Sequence, residues 1–258
     1  MGEPRLRGRI GVVTGGGKGL GRALVRALAE EGADVAFSYR DSRSAAEEAA
    51  EGLRSSGRRA FVAKADARIP GQMAGFVEAA AGALGGVDFL VNNVGLFRPF
   101  SLEEISEEAL DEAFDVNVKA AVMAARAAAP HLRRRGGGAI VNVASLGGLR
   151  PWKAYLPYCA SKAALVMATE CLALLLAPEI RVNSVSPGLV SSQWFSKSFG
   201  ADAAAAQEEA FAKATPVKRI ATPDDVAQAV LALLENDLIN GQDLVIDGGK
   251  SVLYQPLA

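Results

Sequence analysis

The chain has 258 residues, of which 50% are hydrophobic and 22% are charged. This apolar content excludes an intrinsically disordered chain and requires a substantial core. The 28 basic and 29 acidic side chains give a formal net charge of −1. No strongly basic surface is therefore expected, and we expect neither nucleic acid nor a membrane as a partner.

The two cysteines predict no disulfide. Cys159 and Cys171 lie in a stretch that reads as one helix, which separates them by about 18 Å along its axis, whereas a disulfide requires Cα atoms within about 7 Å of each other. His131 stands without a metal-ligand spacing around it, so no metal site is expected. The N-terminus has no apolar signal segment, and the most apolar stretch, 163–177, is too short to span a bilayer. We expect a cytoplasmic protein.

Hydrophobic periodicity alternates between strand and helix along the whole chain. Ile10 to Thr14 is a short apolar run that ends in glycines, and apolar residues then recur at helical spacing from Leu20 to Leu28. Strands that alternate with helices indicate a parallel sheet covered on both faces, here in one domain over 1–258. Further helices are predicted over 44–55, 71–84, 107–135, 158–176 and 224–234, and seven strands are predicted over 10–14, 34–39, 60–65, 87–92, 139–144, 181–186 and 243–246.

The least patterned region, 191–216, follows the sixth predicted strand. Ligands of open α/β sheets bind beyond the carboxyl ends of the strands, so this insertion is placed to act as a substrate lid. A packed helical hairpin without a ligand role is the alternative.

A glycine-rich turn joins the first strand to the first helix. It reads Thr14-Gly-Gly-Gly-Lys-Gly-Leu-Gly21, with the spacing Gly15-x-x-x-Gly19-x-Gly21. Backbone N–H groups at a helix N-terminus can hold a pyrophosphate, and glycines let it approach. A tight strand-to-helix turn also favours glycine, but the position in the first βα unit favours dinucleotide binding.

Further motifs follow in chain order and carry a family resemblance. They are Asn92-Asn-Val-Gly95 after the fourth strand, Asn117 in the long helix, Ser145 after the fifth strand, Tyr158-Cys-Ala-Ser-Lys162, and Pro187-Gly188 after the sixth strand. With the glycine turn, these motifs resemble the short-chain dehydrogenase/reductase family over nearly the whole chain. The resemblance implies a Rossmann-type doubly wound α/β fold.

Three of these side chains have the chemistry of carbonyl reduction. Tyr158 and Lys162 share one helix face, and an ammonium near a phenol favours the phenolate, which a tyrosine with an ordinary pKa near 10 needs for proton transfer at neutral pH. Ser145 is placed to donate a hydrogen bond to the substrate oxygen. The resemblance adds that Lys162 binds the nicotinamide ribose and that Asn117 holds a water in a proton relay, so the expected catalytic residues are Asn117, Ser145, Tyr158 and Lys162.

The end of the second strand sets the coenzyme. Tyr39 occupies the position at which NAD-selective relatives have an acidic residue, and Arg40 follows it. Arg40 and Lys18 favour the 2′-phosphate of NADP(H), since a guanidinium suits phosphate, while Asp41 leaves NAD(H) open.

The resemblance implies the rest of the cofactor site. Asp66 is expected to contact adenine, with a helix N-cap as its structural alternative. The expected cofactor-binding residues are Gly15, Gly17, Lys18, Gly19, Leu20, Gly21, Tyr39, Arg40, Asp66, Ala67, Asn93, Val94, Gly95, Tyr158, Lys162, Pro187, Gly188 and Val190.

Two features have structural interpretations. Arg133 to Arg135 precede three glycines and are expected to form a solvated helix end, with docking of an acidic carrier protein as the alternative. The helix over 163–176 is apolar nearly all round, which predicts burial on two sides, against the sheet and against another subunit. The resemblance implies a homotetramer or homodimer.

The predicted activity is NADP(H)-dependent reduction of a carbonyl to a secondary alcohol. The pattern most resembles 3-oxoacyl-carrier-protein reductases, which makes a 3-oxoacyl thioester, carried by an acyl carrier, one candidate beside other small ketones. An NAD-dependent alcohol, polyol or steroid dehydrogenase is the alternative. A non-catalytic NADP(H)-sensing regulator is a remote one, because Ser145, Tyr158 and Lys162 are all present.

Overall fold

The computed structural model describes residues 4–191 and 201–253. Seven strands form one parallel sheet in the order β3-β2-β1-β4-β5-β6-β7. This confirms the predicted doubly wound sheet. The strands are β1 (Ile10–Val13), β2 (Asp34–Tyr39), β3 (Ala60–Lys64), β4 (Phe89–Asn92), β5 (Gly138–Val143), β6 (Ile180–Pro187) and β7 (Asp243–Ile246).

Helices cover both faces of the sheet. One core lies under α1, α2 and α8 and includes Leu24, Phe37 and Leu231; the other lies under α3 and α5 and includes Val77 and Leu132. The helices are α1 (Gly19–Glu30), α2 (Arg43–Ser55), α3 (Gln72–Leu84), α4 (Glu107–Phe114), α5 (Ala120–Arg134), α6 (Leu156–Leu176), α7 (Ala201–Ala214) and α8 (Pro223–Glu235).

The single helix predicted over 107–135 is divided. A π-helical turn, Asp115–Lys119, separates α4 from α5, and the N–H of Ala120 donates to the carbonyl of Asp115. The apolar pattern did not reveal this turn, because one extra residue changes the helical phase only locally. Such π-turns are frequent at functional sites, and this one contains Asn117.

Helix α6 differs from its prediction in length and burial. It begins at Leu156, and its 21 residues, with a mean hydropathy of 1.7, have the length and composition of a membrane span. The prediction that the apolar stretch here, 163–177, is too short to span a bilayer was therefore wrong for the whole helix. One face packs against β6 and buries Ser161, Lys162 and Thr169. Leu174 and Leu175 on its other face are 82% and 73% exposed, so α6 is not buried on two sides within one chain.

Arg135 is not part of a solvated helix end. Its Nε and one terminal nitrogen donate to the two carboxylate oxygens of Asp88, at 3.0 and 3.1 Å. Asp88 is buried and also accepts a hydrogen bond from the N–H of Ile10 at 2.8 Å. The arginine therefore neutralises a buried carboxylate at the amino end of the sheet.

The predicted lid at 191–216 lies partly outside the described residues, since 192–200 are not among them. Its second part forms α7, which runs from Ala201 to Ala214.

Candidate active site

The four predicted catalytic residues come together beyond the carboxyl end of β5. Ser145 follows that strand, Tyr158 and Lys162 lie on α6, and Asn117 lies in the π-turn. The amide of Asn117 reaches α6, where its Nδ2 donates to Ser161 Oγ at 2.8 Å. Three separate segments thus converge on one site.

Ser145 is fixed by the turn that it begins. It is buried, it caps a 3₁₀ turn (Leu146–Gly148), and its Oγ accepts a hydrogen bond from the N–H of Gly147 at 3.0 Å. Because that contact uses a lone pair of Oγ, the hydroxyl hydrogen remains for donation. Ser145 can therefore donate to a substrate oxygen.

Tyr158 is a neutral phenol at physiological pH. Desolvation raises its pKa to about 12, and a hydrogen bond with Ser145 opposes this rise only in part. The expectation that Lys162 lowers the pKa of Tyr158 was wrong for this structure, because the Lys162 ammonium lies 6.0 Å from the centre of the Tyr158 ring and bonds elsewhere. The arrangement suits Tyr158 to proton donation.

Lys162 is buried and donates from Nζ to the main-chain oxygen of Val143 at 2.7 Å. Desolvation lowers its pKa to about 8, so it is mostly charged at neutral pH. Gly95 lies against this lysine, since a Cβ there would be 3.4 Å from Lys162 Nζ and 3.4 Å from Asn117 Oδ1.

Asn117 holds the loop that follows β4. Its Oδ1 accepts from the N–H of Leu96 at 2.7 Å, and its Nδ2 donates to the carbonyl of Leu96 at 3.0 Å and to Ser161 Oγ. Ser161 in turn donates to the carbonyl of Tyr158 at 2.8 Å. Asn117 therefore positions both the loop and the helix that carry the site, and the water relay implied for it stays a prediction.

Sequence reasoning missed several residues around Tyr158. Ser161 joins the π-turn to α6, and the rings of Phe97, Trp152 and Tyr155 lie beside Tyr158. These positions lie between the recognised motifs and have no spacing rule of their own. The signal was the aromatic content of the two segments 96–100 and 152–158.

The glycine turn has the geometry of a phosphate cradle. Gly19 has φ +57° and a Cβ there would meet no atom within 4 Å, so the space beside it is open to a ligand. Lys18 precedes the first turn of α1 without a side-chain cap, which leaves the early N–H groups of the helix, at Gly19 and Leu20, for a ligand. A glycine is required at position 21 by packing within the turn, since a Cβ there would lie 2.0 Å from the carbonyl oxygen of Gly15.

The turn is anchored to the loop after β4. Asn93 Nδ2 donates to the carbonyls of Thr14 and Gly15 at 3.0 and 3.1 Å, and Thr14 Oγ1 accepts from the N–H groups of Asn93 and Val94. Gly15 has φ +73°, and Val94 Cγ2 would lie 2.9 Å from its Cβ. Asn93 and Val94 thus shape the predicted cofactor site from beneath the turn.

The turn after β2 faces the glycine turn. Tyr39 ends β2 half-buried, and Gly17 is buried such that a Cβ there would lie 3.6 Å from Tyr39 Cβ. Arg40 is exposed and its Nε lies 2.5 Å from Asp41 Oδ2. Lys18 Nζ donates to Ser42 Oγ at 3.3 Å, so the structure adds Ser42 to this group.

Asp66 and Ala67 follow β3. Asp66 is not the N-cap of the next helix, because α3 begins at Gln72 after Gly71. Its carboxylate instead accepts hydrogen bonds from Arg68, which hold the pKa of Asp66 below its ordinary value. Asp66 and the partly exposed Ala67 thus lie at the same carboxyl edge as the glycine turn.

The last predicted segment closes the same edge. Pro187 ends β6, the N–H of Gly188 donates to the carbonyl of Ile246 at 2.9 Å, and Val190 forms a parallel bridge with Ala221. Every predicted cofactor-binding residue therefore lies at or beyond the carboxyl ends of the strands, with Tyr39 and Pro187 as the last residues of β2 and β6. A nicotinamide dinucleotide fits this edge, with phosphate at the glycine turn.

Comparisons with known proteins agree with this geometry. A family model described as enoyl-(acyl carrier protein) reductase matches residues 15–251. Dehydrogenase/reductase SDR family member 4 of Oryctolagus cuniculus is 37% identical, over 95% of this chain and 93% of its own.

Two solved structures are similar over almost the whole chain. A short-chain dehydrogenase from Burkholderia cenocepacia J2315 in complex with NADP is 38% identical with a TM-score of 0.88, covering 96% of this chain and 99% of that one. L-sorbose reductase from Gluconobacter frateurii, complexed with NADPH and L-sorbose, is 31% identical with a TM-score of 0.89, covering 96% and 98%. With the site assembled as described, the chain belongs to the short-chain dehydrogenase/reductase family of oxidoreductases.

Proposed function

We propose that the protein reduces a ketone to a secondary alcohol with NADPH, with Tyr158 as the proton donor. The observation that carries the proposal is the pairing of Tyr158, a phenol whose pKa is raised to about 12, with the buried hydroxyl of Ser145. A protonated phenol beside a second hydroxyl donor is the arrangement that a developing alkoxide requires.

Each side chain has a defined part in the reaction. A bound nicotinamide cofactor supplies the hydride that reduces the carbonyl carbon. Ser145 donates a hydrogen bond to the carbonyl oxygen, and Tyr158 gives its proton to that oxygen as the negative charge develops. Tyr158 then regains a proton from solvent, while Lys162 stays hydrogen-bonded to the main-chain oxygen of Val143.

Two observations support NADPH as the coenzyme. Lys18 lies in the glycine turn and Arg40 in the turn after β2, and Lys18 Nζ donates to the hydroxyl of Ser42 in that second turn. A 2′-phosphate would find two cations and one hydroxyl there. The solved relatives from Burkholderia cenocepacia and Gluconobacter frateurii are complexed with NADP and NADPH.

One observation favours a second candidate, an NAD-dependent alcohol dehydrogenase. Arg40 already forms an ion pair with Asp41, so the turn after β2 contains a carboxylate, the group that binds a ribose 2′-hydroxyl in NAD-dependent proteins. With Asp41 as the ribose ligand, the same site would favour NAD(H).

We propose a small ketone, with a 3-oxoacyl thioester as one member of the class, as the substrate. We also propose a cytoplasmic homo-oligomer, a homotetramer or homodimer, for which the exposed Leu174 and Leu175 on α6 supply apolar surface.

Parallel calorimetric titrations with NADPH and NADH test the coenzyme without a known substrate. Tighter NADPH binding supports the proposal, tighter NADH binding supports the second candidate, and the absence of binding to both contradicts the two. Coenzyme oxidation is then measured with a panel of ketones, 3-oxoacyl thioesters and enoyl thioesters. Reduction of the enoyl C=C bond without reduction of any C=O group would overturn the proposal.

A further inference from the structure

Three aromatic side chains surround the ring of the proton donor. Phe97 comes from the loop after β4, while Trp152 and Tyr155 come from the segment between β5 and α6. All three are partly exposed, as is Tyr158. We call Phe97, Trp152 and Tyr155 the aromatic wall.

The rings of the wall are arranged around Tyr158 at defined angles. Phe97 meets the Tyr158 ring edge to face, with centroids 4.7 Å apart and planes 80° apart. Trp152 lies nearly parallel to Tyr158, with centroids 6.1 Å apart and planes 24° apart. Tyr155 stacks on the far side of the arrangement against Phe97, at 4.4 Å and 7°. Stacking on Tyr155 thus holds Phe97 in place against the ring of Tyr158.

Backbone contacts join the two segments that carry the wall. The N–H of Phe100 donates to the carbonyl of Ala154 at 2.7 Å and joins the two segments, and within the second segment the N–H of Tyr155 donates to the carbonyl of Trp152 at 3.3 Å. Ala154 has φ +67°, a conformation that costs a non-glycine residue about 1 kcal/mol. A backbone held in this conformation by its surroundings indicates that the positions of Trp152 and Tyr155 are determined by the fold.

The same segments offer few uncharged hydrogen-bonding side chains to a substrate. Apart from the main chain, residues 94–100 and 146–157 contain as uncharged polar groups only the indole N–H of Trp152 and the hydroxyl of Tyr155. The cations of these segments, Arg98, Arg150 and Lys153, are exposed, so a polyol buried against the rings would leave hydroxyls with few uncharged partners, which is unfavourable. Apolar and planar groups suit the wall better, because aromatic pairs gain energy beyond the area they bury.

We propose that the aromatic wall binds an aromatic ring of the substrate, so that the preferred substrates are ketones with an aryl group close to the carbonyl. This inference rests on the proposed function, since it names the substrate class of the same site. The carbonyl oxygen lies at Ser145 and Tyr158, and the aryl group packs on Phe97 and Trp152.

The test compares phenylacetone with cyclohexylacetone as substrates in the presence of NADPH. In both ketones a methylene separates the ring from the carbonyl, so the two carbonyl groups have closely similar reactivity and the rings differ mainly in planarity and π electrons. We expect kcat/KM for phenylacetone to exceed that for cyclohexylacetone roughly tenfold, the upper range for one aromatic contact. The ratio cancels any change in the fraction of active enzyme.

Variants assign the preference to the wall. Phe97→Leu and Trp152→Leu are each expected to lower the ratio roughly threefold or more, since each removes one ring but keeps an apolar side chain. Trp152→Phe keeps a ring and is expected to keep most of the preference. The matched control is Phe100→Leu. Phe100 lies in the same loop as Phe97, but its ring contacts the guanidinium of Arg98, at 4.9 Å, among the described residues.

Each outcome decides the inference. A wild-type ratio near one overturns it, and this result needs no variant. A ratio that survives both leucine variants, or that falls as far in Phe100→Leu, also overturns it. Reduction of a ketose or a 3-oxoacyl thioester without reduction of either ketone overturns the inference and leaves the proposed function intact. NADPH binding without oxidation by any carbonyl compound contradicts the proposed function itself.

Discussion

Lys162 donates its ammonium to the main-chain oxygen of Val143 at 2.7 Å, one helical turn along α6 from Tyr158. The lysine is buried, so the protein keeps a desolvated positive charge against a single carbonyl. That charge destabilises the fold, and its only evident benefit lies in the chemistry beside it. Its energetic cost is therefore measurable without a substrate.

The first prediction concerns the pH dependence of stability in Lys162→Met. Burial lowers the pKa of Lys162 from 10.5 to about 8, so the folded state binds this proton more weakly than the unfolded state. The wild type therefore gains stability from this group as the pH rises from about 8 to 10.5, and the penalty is fully present below about pH 8. The methionine variant has no such group.

Urea denaturation of both proteins at pH 7 and pH 10 checks this sign. We expect the free energy of unfolding of the wild type, relative to Lys162→Met, to rise by about 2 kcal/mol between the two pH values. The lost hydrogen bond to Val143 shifts both measurements equally and does not enter the difference. A pH-independent difference would show that the Lys162 pKa is not lowered.

The second prediction concerns Tyr158→Phe. The substitution removes the phenolic proton but keeps the ring that contacts Phe97 and Trp152, so the site keeps its shape. We expect kcat for ketone reduction to fall about 10²- to 10⁴-fold, as for loss of a general acid, with little change in the Kd for NADPH. Turnover near the wild-type value would exclude Tyr158 as the proton donor.

The third prediction concerns coenzyme choice. Arg40→Ala is expected to weaken NADPH binding about tenfold or more, since a charge-assisted hydrogen bond is lost, and to leave NADH binding almost unchanged. Asp41→Asn removes the partner of Arg40 and is expected to strengthen NADPH binding a few-fold, in line with an exposed ion pair of about 1 kcal/mol or less.

Calorimetry with both coenzymes measures these effects. Arg54→Ala is the matched control. Arg54 is exposed like Arg40, but it lies at the C-terminal end of α2, whereas Arg40 precedes the N-terminus of that helix. Equal losses for NADPH and NADH in Arg40→Ala would contradict a phosphate contact. Loss of NADH binding in Asp41→Asn would favour the NAD-dependent alternative.

The fourth prediction separates two neighbouring arginines. Arg135→Ala leaves the buried carboxylate of Asp88 without its bidentate partner, and we expect a loss of about 2 kcal/mol or more in the free energy of unfolding. Arg133→Ala is expected to change it by less than about 0.5 kcal/mol, since Arg133 is exposed and 4.0 Å from Glu179. Equal effects in urea denaturation would contradict the role assigned to the Asp88 pair.

The sheet and the chemical motifs were predictable from local sequence rules. Short apolar runs that end in glycine or polar residues identify the strands, and the range of β2, Asp34–Tyr39, agrees with the prediction at both ends. The spacing of Tyr158 and Lys162 also identified one helix face. These signals are local because each depends on a few residues in one element.

Features that depend on contacts between elements were not predictable. The ion pair of Arg135 joins residues 47 positions apart, and the residue pattern at 133–135 is equally typical of a solvated helix end. The raised pKa of Tyr158 follows from desolvation, which no spacing rule describes. The aromatic wall comes from two segments about 55 residues apart, brought together by the parallel sheet.

The hydrogen bond from Phe100 to Ala154 bears on protein engineering. Because it joins the loop after β4 to the segment before α6, the two pieces behave as one exchangeable cassette. Grafting only one of them from a relative would break this hydrogen bond and misplace Trp152 or Phe97, whereas grafting 96–100 together with 146–155 would keep it and leave Asn93, Val94 and Gly95 in place.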